Sequence, residues 1–218
     1  MSLIELEQSL PIRFEFIIFD ACLMGGIEVA YQLRKKANYI VVSPTETLVA
    51  GFPYTQTIPL LFTQTINYLG IAKTFTDYYE NQTKDYLKSA ALTVINTEKL
   101  ETFANLLYQS IENKIITISD NAYNLLAYEF SNPIIYYDFF NFLQQTIDDK
   151  NRLNQLTRLY SEIVISYEHT NFFLNDLVLT GTTALNFFVF PFYEDNLLQA
   201  YMQTDWYVDT NFISCRVK

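Results

Sequence analysis

Short apolar runs alternate along the chain with stretches of helical periodicity. Phe14-Glu-Phe-Ile-Ile-Phe19 is dominated by β-branched and aromatic residues, the composition of a strand buried on both faces. Asp20-Ala-Cys-Leu-Met-Gly-Gly26 breaks the run with two glycines. Ile27, Ala30, Leu33 and Ala37 then recur at helical spacing, and Arg34, Lys35 and Lys36 sit where the negative end of the helix dipole favours cations. Tyr39-Ile-Val-Val42 reads as a second strand. Strand, helix and strand within about thirty residues form a βαβ unit, which predicts parallel strands.

Before this unit, Glu5 to Leu10 reads as the end of a short helix closed by Pro11. After it, Ser43 to Tyr54 is a loop punctuated by Pro44, Gly51 and Pro53. The spacing predicts helices over Thr55–Leu69 and Ile71–Leu87 and a strand over Ala91–Ile95. A further helix is capped by Asn96 or Thr97 and presents Leu100, Phe103, Leu107 and Ile111 on its apolar face. Helices over Tyr137–Ile147 and Arg152–Tyr167 follow, then a strand over Leu185–Phe190 stopped by Pro191 and a short helix over Glu194–Met202. The alternation is that of an α/β protein. Periodicity is weakest over Ser110–Ser131, where a soft boundary is expected.

Composition narrows the function classes. With 218 residues, half of them apolar and 17% charged, the chain builds one sizeable core and is not intrinsically disordered. Fourteen Lys and Arg stand against 24 Asp and Glu, a net charge of −10, with no basic cluster for nucleic-acid phosphates. No apolar run reaches the roughly 18 residues of a membrane span. Met1-Ser-Leu-Ile-Glu-Leu-Glu-Gln8 lacks the basic start of a secretory signal. The 17 Tyr and 18 Phe suit an aromatic core with tyrosines at its rim, or else a carbohydrate- or peptide-binding surface. Two cysteines, Cys22 and Cys215, and one histidine, His169, leave little material for metal sites or histidine catalysis.

Ligands of open parallel sheets bind beyond the carboxyl ends of the strands, where Asp20 and Cys22 lie. Backbone N–H groups and a helix start stabilise a thiolate there, and can also hold the oxyanion of acyl transfer. The structural alternatives are a small core cysteine and a turn aspartate. Cys215 has no activating neighbour in sequence and reads as structural.

The local string adds a resemblance. Phe19-Asp-Ala-Cys-Leu-Met-Gly25, followed by Glu28-Val-Ala-Tyr31, resembles the nucleophile segment of clostripain-like cysteine peptidases of the caspase-like clan. Tyr39 to Glu46 and Gly51-Phe-Pro-Tyr54 are similar to the strand and loop that follow that cysteine. Tyr137 to Phe142, Gly181 to Pro191 and Thr204-Asp-Trp206 are similar, in order, to later family segments. The likeness covers most of residues 1–218 but only the later, nucleophile-bearing part of a family member.

The resemblance implies a caspase-like three-layer α/β sandwich with a central, mostly parallel sheet, lacking the strands that precede the cysteine strand. It implies an endopeptidase that cleaves after Arg or Lys through a Cys22 thioester, with Asp20 at the base of the first specificity pocket. Glu46 and Thr47 are secondary pocket contacts or plain turn residues. No cofactor is implied except the calcium used by some members, and Asp148-Asp149 and Glu194-Asp195 lack a recognisable calcium-ligand spacing. The expected partner is a peptide or protein carrying Arg or Lys. Family members are often exported from the cytoplasm, to periplasm or exterior.

The family histidine lies N-terminal to the cysteine, and no histidine precedes Cys22 here. The isolated chain is therefore expected to be inactive, with a light-chain-like N-terminal segment as its missing partner. A gene fragment, a shortened chain and a degenerate homologue all fit the sequence. His169, in Ser166-Tyr-Glu-His-Thr-Asn171 after a predicted helix, reads as a surface or capping group. The alternatives are a non-catalytic binding or scaffold module of the same fold, or a structural domain with an inert cysteine.

Overall fold

The structure, a computed structural model, describes residues 1–111, 116–118, 125–190 and 195–216. In chain order the elements are α1 (Leu3–Ser9), β1 (Phe14–Ile18), α2 (Ile27–Leu33), β2 (Ala37–Val42), α3 (Tyr54–Leu61), α4 (Tyr68–Glu80), β3 (Ala91–Asn96) and α5 (Leu100–Ile111). They continue with β4 (Ile116–Ile118), β5 (Tyr136–Asp138), α6 (Phe139–Thr146), α7 (Lys150–Ile163), β6 (Val164–His169), β7 (Phe172–Phe173) and β8 (Leu177–Val178). The last are β9 (Asn186–Phe188), α8 (Asp195–Tyr201), α9 (Asp205–Thr210) and β10 (Ser214–Arg216). Residues 112–115 and 119–124 of the soft boundary expected near 110–131 lie outside the described residues.

A four-stranded sheet in the order β1-β2-β3-β6 organises the molecule. β1 and β2 are parallel, with Phe16 opposite Tyr39, as the βαβ pattern predicts. β3 is antiparallel to both β2 and β6, so β1, β2 and β6 run one way and β3 the other. Both faces are covered. Along β2 and β3, Ile40, Val42 and Ile95 enter one core, and Val41, Leu92 and Val94 enter a second one with Phe52, Ile71, Phe75 and Tyr79. The period of two that sorts these residues is the pleat of the strand. Caspase-like three-layer packing follows.

The larger core is aromatic, as the composition suggested. Phe187 of β9 packs on Phe142 at 4.9 Å and on Phe139 and Phe212 at 5.9 Å, and Trp206 of α9 meets Phe139 at 5.8 Å. All seven residues of α2 are buried, Glu28 and Gln32 included. An exposed helix would be polar on one side; α2 is instead enclosed by α1, β9 and α9.

Several predicted spans are divided by capping chemistry that apolar spacing does not reveal. The helix expected over 55–69 ends at Leu61, where Thr63 turns the chain by donating to the Leu60 and Thr65 carbonyls, and Asn67 caps α4 by accepting the Gly70 N–H at 2.9 Å. The helix expected over 152–167 stops at Ile163, and Val164–His169 pairs with β3 as a strand. The helix expected over 137–147 begins as β5, after which Asp138 caps α6 through the Asn141 N–H at 2.8 Å.

Candidate active site

Cys22 is displayed by a turn laced to the loop after β2. The Phe19 N–H reaches the Val41 carbonyl at 2.9 Å, and the Leu23 and Gly25 N–H groups reach Thr45 and Ser43, each at 2.8 Å. Leu23 adopts φ 58°, a left-handed conformation that β-carbon residues enter at a cost. The thiol is free and exposed. Its sulfur accepts the Thr47 N–H at 3.3 Å, and its S–H faces the Thr47 carbonyl at 3.8 Å. The sequence placed the supporting N–H groups at the start of α2. The N–H that reaches the sulfur comes from the opposite loop, and those of Leu23 and Gly25 are committed to carbonyls.

Asp20 lies at the same rim, on the side of the β2–α3 loop. Its Oδ2 accepts the Tyr54 hydroxyl at 2.7 Å and the Phe52 N–H at 3.4 Å. The hydrogen bond to Asp20 is the main reason that the Tyr54 hydroxyl is pushed above its ordinary pKa. Gly51 has φ 61°, and a Cβ there would stand 2.6 Å from Asp20 Oδ2, so glycine is required twice over. Behind it, the Tyr79 hydroxyl holds the Gly51 carbonyl at 2.7 Å. Thr47 is thus brought to Cys22. Glu46 is exposed on the same loop, and its carbonyl takes the Thr45 hydroxyl at 2.9 Å.

Other sequence candidates fall elsewhere. His169 ends β6, a strand rather than a helix end, with Nδ1 2.9 Å from the Thr170 carbonyl and its ring 4.7 Å from that of Tyr167. β6 and β1 are the two outer strands of the sheet, so His169 is about 14 Å from the Cys22 strand, three spacings of about 4.8 Å. Cys215 belongs to β10, which pairs with β4. Asp149 caps α7 by accepting the Asn151 and Arg152 N–H groups. Glu194 is outside the described residues. Among the described residues no three His, Cys, Asp or Glu side chains converge as metal ligands, and no helix is long and apolar enough to cross a membrane.

Two charged residues, one in α2 and one at its C-terminal end, take up buried positions that the sequence reading did not assign them. Glu28 is buried, and its Oε1 accepts the Phe188 N–H at 3.0 Å and the Tyr201 hydroxyl at 3.2 Å. Burial pushes its pKa up to about 7 in spite of these donors. Arg34, just past the helix end, bonds Glu101 at 3.0 Å, Asp205 at 2.8 Å and Asp209 at 3.4 Å, and its guanidinium lies 3.8 Å over the Tyr31 ring. A lone acid inside an otherwise uncharged helix was the available signal for Glu28; the carboxylates around Arg34 come from distant segments and left none.

The architecture is that of the caspase-like cysteine peptidases. The profile of the clostripain family matches residues 1–199, and the chain belongs to that family. It is similar to a cysteine protease from B. fragilis, with 22% identity, 96% of this chain and 93% of that one covered, and a TM-score of 0.85. It is also similar to a clostripain from Bacteroides thetaiotaomicron solved with the peptide inhibitor BTN-VLTK-AOMK, with 18% identity, 100% and 96% covered, and a TM-score of 0.83. An inactive zymogen C11 protease from Parabacteroides distasonis shares 25% identity over 96% of this chain but only 62% of its own, with a TM-score of 0.79. No curated protein sequence matches the chain.

Proposed function

We propose that this chain is the nucleophile-bearing part of an endopeptidase that cleaves after Arg or Lys, with Cys22 as nucleophile. The observation that carries the reading is an exposed free thiol two residues from a carboxylate that Tyr54 and Phe52 hold in place. The sulfur attacks the scissile carbonyl carbon, the C–N bond breaks, and the amine leaves with a proton. Water then hydrolyses the thioester, releasing a carboxylate and restoring the thiol. Asp20 attracts a guanidinium or ammonium and repels acidic side chains. Glu46 adds negative charge at the rim, and Thr47 fixes the thiol. The inhibitor of the B. thetaiotaomicron clostripain carries a lysine next to its AOMK end, in line with this preference.

Proton transfer needs a base that His169 cannot supply from the far edge of the sheet. A histidine-bearing, light-chain-like segment adding to the free edge of β1 meets that need, because an apolar edge strand is a template for pairing. Without it the chain turns over peptides slowly or not at all. The distance of His169 from Cys22 favours a second reading, a binding module that retains the site around Asp20.

The test is the labelling rate of Cys22 by acyloxymethyl ketones ending in arginine, lysine or glutamate, read by intact mass. Arginine and lysine are expected to exceed glutamate by roughly 10- to 100-fold, the worth of a charged hydrogen bond. Asp20→Asn should remove the preference and Cys22→Ala the labelling. Equal rates for all three labels overturn the specificity reading. Preferential labelling with no peptide cleavage, even when the histidine-bearing segment is added, favours the binding module.

A further inference from the structure

Cys22 also forms part of the wall of a hollow of about 480 Å³, which none of Asp20, Phe52 and Tyr54 lines. It lies between the start of α1, the turn after Cys22, β9 and α8. Leu3, Met24, Val29 and Phe188 make its sides apolar. Two of its polar residues, Glu28 and Asn186, are buried. Asn186 is fully buried, and its Nδ2 donates to the Pro44 carbonyl at 2.8 Å, while its Oδ1 has no partner among the described residues. A Cβ on Gly26 would stand 3.0 Å from that Oδ1 and 3.2 Å from Glu28 Oε2, so two acceptors gather over a glycine that leaves them room. A buried acceptor without a donor is costly, and native structures seldom leave one unexplained.

We propose that this hollow is the subsite for the residue following the scissile bond, and that it takes a large apolar side chain tipped with an N–H or O–H donor, tryptophan or tyrosine, which pairs with Asn186 Oδ1. The assignment to the leaving side rests on the proposed nucleophile: with Asp20 holding the residue before the bond, the departing half of the peptide takes the hollow beside Cys22 that Asp20 does not line. The volume lies within the range of about 300–1,000 Å³ typical of ligand sites, and an aromatic ring supplies much contact area with few torsions to freeze. Glu28 and Asn186 both offer oxygens, so a carboxylate-tipped residue is rejected.

Because Cys22 lines the hollow, an occupant shields the sulfur, and binding can be measured on the isolated chain without turnover. The experiment follows alkylation of Cys22 by iodoacetamide in the presence of N-acetyl amides of tryptophan, tyrosine, 1-methyltryptophan and glutamate. Tryptophan and tyrosine amides should slow alkylation about tenfold at ten times their Kd. The 1-methyl compound, which lacks the donor, should need roughly tenfold more ligand, the worth of one hydrogen bond. The glutamate amide should not protect. Ala200→Trp, which fills the hollow from α8, should abolish protection without lowering the melting temperature. Failure of tryptophan and tyrosine to protect, or equal protection in Ala200→Trp, overturns the site. Equal protection by the 1-methyl compound overturns the pairing with Asn186. Protection in a protein that shows no preference for arginine labels keeps the hollow as a binding site and overturns its assignment to a scissile bond.

Discussion

The two ends of helix α2 handle buried charge in opposite ways. At its start, Glu28 has hydroxyl and amide donors but, among the described residues, no cation beside it, and burial pushes its pKa up to about 7. At its finish, Arg34 is as buried as Glu28 but sits among three carboxylates and a tyrosine ring. Hydrogen bonds alone leave a buried carboxylate costly, whereas opposite charges keep a buried guanidinium ionised. The first end behaves as a neutral acid at low pH and a strained anion at high pH. The second stays charged throughout.

This contrast can be broken in three ways. The largest effect is expected from Glu28→Gln. The folded pKa of Glu28 is raised, so its favourable contribution is complete below about pH 4.5 and is lost as pH rises through about 7. That rise corresponds to about 3 kcal/mol. Glutamine keeps an acceptor for Phe188 and Tyr201 and carries no charge, so urea unfolding should show a variant about 3 kcal/mol more stable than wild type at pH 8 and nearly equal at pH 4.5. A constant difference across that range would remove Glu28 as the titrating group. Arg34→Met should cost about 2 kcal/mol, below the figure for a fully buried pair because its carboxylates are 40–57% exposed. The loss should be the same from pH 6 to pH 9 in the same unfolding assay; a strong pH dependence would contradict the contrast. Tyr201→Phe deletes one donor to Glu28 and should cost about 1 kcal/mol at pH 8 and less at pH 5.

Sequence periodicity captured the βαβ unit and the strand-end position of Cys22, because both are local. Phe14 to Val42 form their elements within about thirty residues of one another, and the glycine turn follows the strand directly. Helix ends were less legible. The bonds of Thr63, Asn67 and Asp138 that stop or start helices belong to side chains equally common in loops. The reversal at β3 was also invisible, since an apolar run such as Ala91–Ile95 carries no direction.

The candidate site divides along the same line. Asp20 and Cys22 lie two residues apart and were readable together. Tyr54 and Phe52, which hold Asp20, stood in a quoted segment without a role. Asn186 reaches Gly26 across 160 residues of chain, and no local pattern announces that contact.

From its sequence alone the chain specified alternating layers, an aromatic core, an acidic surface and a cysteine paired with an aspartate at a strand end. These depend on periodicity and near neighbours, which survive in one dimension. Tertiary structure alone decided which amide meets the sulfur, which carboxyl is trapped without a cation, and that His169 stands at the opposite edge of the sheet from Cys22. Those outcomes depend on which distant segments share a boundary, and burial and Coulomb interactions act on distance in space, not on separation along the chain.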